Sequence, residues 1–190
     1  MQITGIDESG RGAVIGPLVI AGVTIDKIYE SKLKKLGVKD SKVLTPKKRE
    51  ELAKEIEEIA SNIIVLRVQP CRIDDLRATG VNLDRIEAMK MAEIVDMTDG
   101  GIFYIDSLTS NPKKFKTVVT SYMKNNGHGE IIVENYLDES VIAVSAASII
   151  AKVERDKAIQ EIKEKVKFDF GVGFLGCVFR DLCLIFLVWD

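Results

Sequence analysis

The sequence predicts an α/β fold in which a five-stranded mixed sheet is flanked by helices. Three observations lead to this prediction: β-rich segments come early, helices and strands then alternate, and most helical segments carry one apolar face. Strands that follow one another early favour an antiparallel meander, whereas strands that alternate with helices favour parallel pairing. We therefore expect an antiparallel meander joined to parallel strands, with helices packed on both faces of the sheet.

The predicted strands are short and rich in β-branched or aromatic residues, which favour a pleated, half-buried surface. In the second, Gly16-Pro17 marks a bulge or an edge. The strand ending in Asp106 is bounded upstream by Gly100-Gly101, and the last strand precedes Asp138. The five predicted strands cover residues 3–7, 14–25, 63–69, 102–106 and 130–135.

Helix starts are indicated by polar caps. Thr45 followed by Pro46, Asn82, and Asn111 followed by Pro112 are typical of N-caps, the proline occupying the first helical position. The stretch 31–49 carries eight Lys or Arg and is expected to be rich in loops. The predicted helices run from Thr45 to about Ser61, from Asn82 to Gly100, from Asn111 to Asn126 and from Val141 to Lys165.

The composition indicates one globular domain. The chain has 190 residues, of which 46% are hydrophobic and 29% charged, and a formal net charge of −2. With no global basic character, a nucleic-acid partner would have to be bound by local patches. The three cysteines, an odd number without metal-ligand spacing, favour a reducing, cytoplasmic compartment. Early acidic residues and the lack of a long apolar run predict neither a signal peptide nor a membrane span.

Acidic residues stand at the ends of three predicted strands: Asp7 with Glu8, Asp106, and Asp138 just beyond the fifth strand. The carboxyl ends of parallel strands gather at one edge of a sheet, so these side chains are expected to converge. Packed carboxylates need cations, and oxygen ligands favour Mg²⁺ or Mn²⁺. Two such ions would suit attack on a phosphodiester. A single acid after a strand is more commonly a turn or a helix cap, and the residues alone leave both interpretations open.

Four motifs together resemble the ribonuclease HII family, the type 2 ribonucleases H, in its short archaeal form. They are GIDESGRG at 5–12, DSK at 40–42, YIDSL at 104–108 and SAASIIAKVERD at 145–156. The resemblance covers residues 1–173 and implies a ribonuclease H-like fold. It also implies a metal-dependent endonuclease that cleaves the RNA strand of RNA–DNA hybrids. The same family nicks duplex DNA on the 5′ side of an embedded ribonucleotide, leaving 5′-phosphate and 3′-hydroxyl ends.

The resemblance also implies the residues of the site. Asp7, Glu8, Asp106 and Asp138 would be the catalytic metal ligands for two Mg²⁺ or Mn²⁺ ions, with Asp7 bridging them. Backbone groups of Gly10-Arg11-Gly12 would approach the ribose 2′-hydroxyl, the group that separates RNA from DNA. The further substrate contacts implied are Lys42, Ser145, Ala146, Lys152, Arg155 and Phe174. His128, the only histidine, is interpreted as a polar loop residue rather than a proton shuttle.

The resemblance ends near residue 173. Phe174 stands where the family has a tyrosine that stacks on the deoxyribose beside the ribonucleotide. We therefore divide the chain into a catalytic domain, 1–173, and an atypical apolar tail, 174–190, which resembles either a foreign reading frame or a truncated end. The partner predicted is a hybrid or a duplex with an embedded ribonucleotide, with no membrane. A monomer is expected, with association through the tail as the alternative.

Three other functions remain open on the sequence. The chain would be a hybrid-binding module if the altered C-terminus has impaired catalysis. It would be a different nuclease of the same fold, such as a junction resolvase, if cleavage does not depend on a 2′-hydroxyl. The plainest alternative is a cation-binding α/β domain without nuclease activity.

Overall fold

The structure is a computed structural model that describes residues 1–39, 41–107, 109–124 and 129–167. Predictions for His128, Phe174 and the tail 174–190 lie outside the described residues. The strands are β1 (Gln2–Ser9), β2 (Leu18–Asp26), β3 (Asn62–Val68), β4 (Ile102–Asp106) and β5 (Glu130–Glu134). The helices are α1 (Glu30–Leu36), α2 (Pro46–Ile59), α3 (Pro70–Ala78), α4 (Leu83–Asp96), α5 (Pro112–Tyr122), α6 (Leu137–Ser140) and α7 (Ile142–Val166).

The five strands form one mixed sheet in the order β3-β2-β1-β4-β5. β1, β2 and β3 pair antiparallel, whereas β1, β4 and β5 run parallel. The predicted meander joined to parallel strands is therefore confirmed. In the β1–β4 register Ile6 lies opposite Ile105, so the two acids that follow them leave the sheet side by side.

Helices cover both faces of the sheet, and the side chains of β2 show how. Val19, Ala21 and Val23 belong to the core beneath α2 and α7. Leu18 and Ile20 belong to the core beneath α4 and α5. Successive side chains of a strand point to opposite faces, so a strand buried on both sides is a continuous apolar run rather than an alternating one. No helix in the described part of the chain is both long and apolar enough to cross a membrane.

Gly5 lets α7 cross the central strand in close contact. A Cβ atom at this position would lie 2.1 Å from the carbonyl carbon of Ala143, in the first turn of α7. Only glycine leaves room for one backbone to approach another so closely. The contact seats the first turns of α7 against β1 just before Asp7, and this seating brings α7 side chains to the acidic edge of the sheet.

Several predicted boundaries are wrong. The stretch 31–49 is not mainly loop, because Glu30–Leu36 forms a helix that buries Leu33 while its lysines face outward. The second strand begins at Leu18 rather than Val14. Pro70–Ala78 forms a helix that the sequence pattern did not indicate, since it buries none of its residues.

Candidate metal centre

Three carboxylates meet at the carboxyl edge of the parallel strands. Asp7 comes from β1, Asp106 from the last position of β4, and Asp138 from the short helix α6. One oxygen of each lies within 4.8 Å of the others, and the three residues are only 5%, 3% and 1% exposed. Of the four acids that the sequence predicts to converge, the structure therefore brings three together: Asp7, Asp106 and Asp138.

Each of the three acids is oriented by a separate neighbour. The backbone N–H of Glu8 donates to Oδ1 of Asp7 at 2.7 Å, and that of Leu137 donates to Oδ1 of Asp106 at 2.8 Å. Asp138 accepts from the Lys42 ammonium at 3.1 Å through Oδ2. The other oxygen, Oδ1, is buried and has no hydrogen-bond partner among the described residues. A buried carboxylate oxygen without a hydrogen bond is unfavourable, and a bound cation would satisfy it.

The turn before α6 shapes this arrangement. Tyr136 has a φ of +63°, in the left-handed region that residues other than Gly, Asn and Asp rarely adopt. The reversal directs the Leu137 N–H at Asp106 and starts the single helical turn that carries Asp138. One strained residue thus fixes two of the three acids relative to each other.

The electrostatics of the cluster favour a cation. Burial raises the pKa of Asp7 well above its ordinary value, and the nearby carboxylates of Glu8 and Asp106 raise it further, against a hydrogen bond from Ser148 that lowers it. Burial also raises the pKa of Asp106. Buried acids that repel one another become fully charged only with a counterion. An oxygen-only donor set of this kind fits Mg²⁺ or Mn²⁺.

Glu8, the fourth predicted ligand, lies outside the group of three. It lines a cleft together with Asp7 and Asp106. Burial raises its pKa to about 8, and the carboxylates of Glu87 and Asp106 add to the effect. Its part in metal binding stays a prediction. Glu87, on α4, was not anticipated, and burial likewise raises its pKa to about 7.

The loop after β1 is a tight glycine turn that Arg11 attaches to α4. Gly10 and Gly12 have φ values of +97° and +71°, as a tight glycine turn requires. Between them, Arg11 binds α4 through Asp84 at 2.5 Å and Glu87 at 3.0 Å. The Arg11 guanidinium is thus already paired with two carboxylates, and the contact of this loop's backbone with substrate stays a prediction.

A cleft of about 460 Å³ lies over the acids. Five of the predicted substrate contacts line it together with Asp7, Glu8 and Asp106: Gly10, Arg11, Lys42, Lys152 and Arg155.

The basic side chains among these contacts already have protein partners; those of Arg11 and Lys42 are described above. Lys152 binds Asp156 at 2.7 Å. Arg155 is buried against the loop, where it donates to the Ile15 carbonyl at 3.2 Å.

Ser145 and Ala146 are placed beneath the acids and do not line that cleft in the described part of the chain. The Ser145 hydroxyl donates to the Asp138 carbonyl at 2.6 Å, so it supports an acid. Ala146 is fully buried in the core between α7 and the sheet. Whether these two residues and the five above contact substrate stays a prediction.

Besides Glu87, two more residues near the site were not predicted from the sequence. Ser148 bonds Asp7 and lies 2.9 Å from the Ser41 hydroxyl; its spacing of three from Ser145 places both on one helix face, which was a usable signal. Arg49 is buried at the end of the α2 stripe that includes Leu52 and Ile56. A charged residue at an apolar stripe position was the signal there.

Comparisons with known proteins agree with this geometry. Residues 4–175 match the family model described as Ribonuclease HII. The chain is 42% identical over 179 residues to Ribonuclease HII of Methanosarcina barkeri, an alignment that covers 92% of this chain and 80% of the relative.

Solved structures give the same result. The ribonuclease H2 of Pyrococcus horikoshii superimposes with a TM-score of 0.83 at 36% identity, over 98% of this chain and 85% of that one. The RNase HII of Archaeoglobus fulgidus, solved in complex with PCNA, gives a TM-score of 0.81 at 41% identity, over 92% of this chain and 81% of that one.

Proposed function

Since the chain belongs to the ribonuclease HII family, and is thus a metal-dependent endonuclease for the RNA strand of RNA–DNA hybrids, we propose that it also nicks duplex DNA on the 5′ side of a single embedded ribonucleotide. The products would carry a 5′-phosphate and a 3′-hydroxyl. The observation that supports this reaction best is the group of three buried carboxylates from β1, β4 and α6, whose oxygens lie within 4.8 Å of one another.

The residues present fit a divalent cation. Asp7, Asp106 and Asp138 would hold it, because each offers an oxygen to one spot and Oδ1 of Asp138 has no other partner in the described structure. Divalent ions at such a site, two of them in our proposal with Glu8 as a further ligand, supply Lewis acidity that activates water and stabilises the leaving oxygen.

The rest of the reaction depends on how the chain holds its substrate. The Lys42 ammonium stands at the cleft, 3.1 Å from Asp138, with 69% of its side chain exposed. An exposed ammonium beside the acids can bind the phosphate next to the cut and offset the repulsion between phosphate and carboxylates. In our proposal the backbone of Gly10-Arg11-Gly12, held in place through Arg11, approaches the 2′-hydroxyl and so selects the ribonucleotide.

The experiment is cleavage of a DNA duplex that holds one ribonucleotide, with Mg²⁺ or Mn²⁺. The matched controls are an all-DNA duplex of the same sequence and the Asp7→Asn variant. We expect one nick on the 5′ side of the ribonucleotide, none in all-DNA, and none with Asp7→Asn, which keeps the shape of the side chain and removes its charge. Binding of the duplex by the folded wild-type protein without a nick would contradict the proposal and favour a hybrid-binding module.

A further inference from the structure

We propose that Arg49 is a positioning residue for this site: it fixes the turn Ser41–Val43 and, through that turn, places the Lys42 ammonium beside Asp138. The inference rests on the proposed function for the role of Lys42. It adds a residue on α2 that none of the sequence motifs implied. Arg49 also lines the cleft, but its hydrogen bonds in the described structure go to the turn and to α7, so we assign its effect to the turn.

Arg49 is held in a place where a charged residue is unusual. It is 8% exposed and shares the buried stripe of α2 with Leu52, Ala53 and Ile56. Burying a guanidinium is unfavourable unless its donors are satisfied. Nε of Arg49 is buried with no hydrogen-bond partner in the described structure, so the contacts of the two terminal nitrogens must offset the cost. A lysine or methionine would serve packing alone, so the contacts of the guanidinium should explain why this position is an arginine.

Those contacts enclose the turn. One terminal nitrogen, Nη1, donates to the Ser41 carbonyl at 3.2 Å and to the Leu44 carbonyl at 2.7 Å, so it binds the chain on both sides of Lys42 and Val43. The other, Nη2, donates to Oδ2 of Asp156 on α7 at 3.2 Å. The guanidinium is planar and fixes the directions of its donors, so the turn is tied to α7 at a set distance.

The turn Ser41–Val43 is also held by its own backbone and by the Ser41 side chain. Its own backbone bond, from the Leu44 N–H to the Ser41 carbonyl, is long at 3.4 Å. The second external anchor is the contact between the Ser41 and Ser148 hydroxyls at 2.9 Å. Both anchors lead to α7, the helix that also supports Asp7 through Ser148 and Asp138 through Ser145.

The consequence concerns the backbone of Lys42, from which its side chain extends. Its flexible stem is mostly exposed, so the ammonium can reach Asp138 and a bound phosphate reliably only if the backbone from which it starts is fixed. Lysine at position 49 would retain the charge near Asp156 but could not bond Ser41, Leu44 and Asp156 together in one plane. The Arg49→Lys substitution should therefore release the turn while leaving α2 folded.

The first test is a double-mutant cycle on the embedded-ribonucleotide substrate. We expect Lys42→Ala to lower kcat/KM by about 100-fold, as loss of one charged contact to the reacting group does. Arg49→Lys should lower it by about tenfold through misplacement. In the Lys42→Ala background, however, Arg49→Lys should lower kcat/KM further by less than a factor of about 3. The ammonium that Arg49 positions is already absent in that background. Multiplicative effects would overturn the proposal.

The second test does not depend on catalysis. Hydrogen exchange of the peptide that spans residues 41–44 should accelerate at least tenfold in Arg49→Lys, with the exchange of β1 and β2 unchanged. Asp156→Asn removes the charge on α7 that holds the Arg49 guanidinium, so it should accelerate exchange in the same peptide. Arg67→Lys is the matched control, since Arg67 also binds α7, through Glu154 at 2.6 Å, and lies away from the turn.

The two tests separate two failures. If the wild-type protein makes no nick, the proposed function fails and exchange alone decides the inference. If the wild-type protein nicks and exchange at residues 41–44 is unchanged in both Arg49→Lys and Asp156→Asn, the positioning role of Arg49 is wrong while the proposed function stands.

Discussion

The hydroxyls of Ser41 and Ser148 lie 2.9 Å apart, although 107 residues separate them in the chain. Ser148 also lies close enough to Asp7 for its hydroxyl to lower the pKa of that acid. This pair of hydroxyls therefore connects the turn that carries Lys42 to the acid at the end of the central strand.

Ser148→Ala should move the acid limb of the pH–rate profile to higher pH. The Ser148 hydrogen bond lowers the pKa of Asp7, so its loss raises that pKa further and the charged ligand forms only at higher pH. The loss also leaves the buried Ser41 hydroxyl without this partner, which should lower the free energy of unfolding by about 1 kcal/mol. Profiles of kcat/KM and denaturant titrations measure both effects. Ser121→Ala, which removes an exposed hydroxyl on α5, is the control and should change neither.

The metal-free protein should lose stability as the pH rises from about 5 to about 8. Burial raises the pKa of Glu8 to about 8 in the folded protein, whereas an unfolded glutamate titrates near about 4.3. Between these values the folded state binds more protons than the unfolded state. The contribution of Glu8 to the free energy of unfolding is therefore complete below its unfolded pKa and is lost as the pH rises through its folded pKa. Thermal melts across this range measure the slope, and Glu8→Gln should flatten it.

Added Mg²⁺ should reverse that slope, because the carboxylate ligands bind a cation only when deprotonated. The rise in Tm on adding Mg²⁺ should thus be larger at the alkaline end of the range than at the acidic end. Asp138→Asn should reduce the rise at every pH, since it neutralises the acid whose Oδ1 has no partner among the described residues. An equal rise in the variant would show that the ion binds elsewhere.

Gly5→Ala should destabilise the protein by about 3 kcal/mol or more, as severe overpacking does. The added methyl would lie 2.1 Å from the Ala143 backbone, so the first turns of α7 must move away from β1. Gly22→Ala is the comparison: its methyl would meet the Cγ2 methyl of Ile94 at 2.4 Å, which is a side-chain atom and not backbone. Urea titrations should find Gly22→Ala milder, and equal losses would contradict the backbone contact.

Tyr136→Asn should stabilise the fold by about 1 kcal/mol, because asparagine tolerates the left-handed conformation that a tyrosine adopts at a cost. Tyr136 is exposed, so little packing is lost with the ring. Tyr136→Ile, which is β-branched, should destabilise instead. Both are measured by chemical denaturation. Opposite signs for the two variants are the expected outcome, and a loss in both would mean that the ring itself contributes to stability.

Helix starts could be predicted because capping is local. Thr45, Asn82 and Asn111 all accept a hydrogen bond from the N–H three residues later, as their sequence positions indicated. Pro70–Ala78 could not be found in this way, because it has no side-chain cap bond and buries no residue. A helix without an apolar face gives no periodic signal.

The candidate site was predictable to the extent that it follows from strand ends. Asp7 and Asp106 meet because parallel neighbours end together, and this follows from the order of strands and helices. The supports of the acids depend instead on how α7 crosses the sheet. Arg49 and Asp156, like Ser41 and Ser148, are 107 residues apart, and no local pattern announces pairs at that separation.

The order of the strands has a consequence for synthesis on the ribosome. β1 lies at the centre of the sheet, but its parallel neighbour β4 begins only at Ile102, and the acid on α6 follows at Asp138. During synthesis β1 can therefore pair only with β2 until β4 has left the ribosome, when more than half of the chain has been made. A nascent chain that ends before α7 already contains Asp7, Asp106 and Asp138 but lacks the helix that supports Asp7 and Asp138. Cutting activity should accordingly appear late in translation, as a single event once α7 docks on Gly5, rather than growing with chain length.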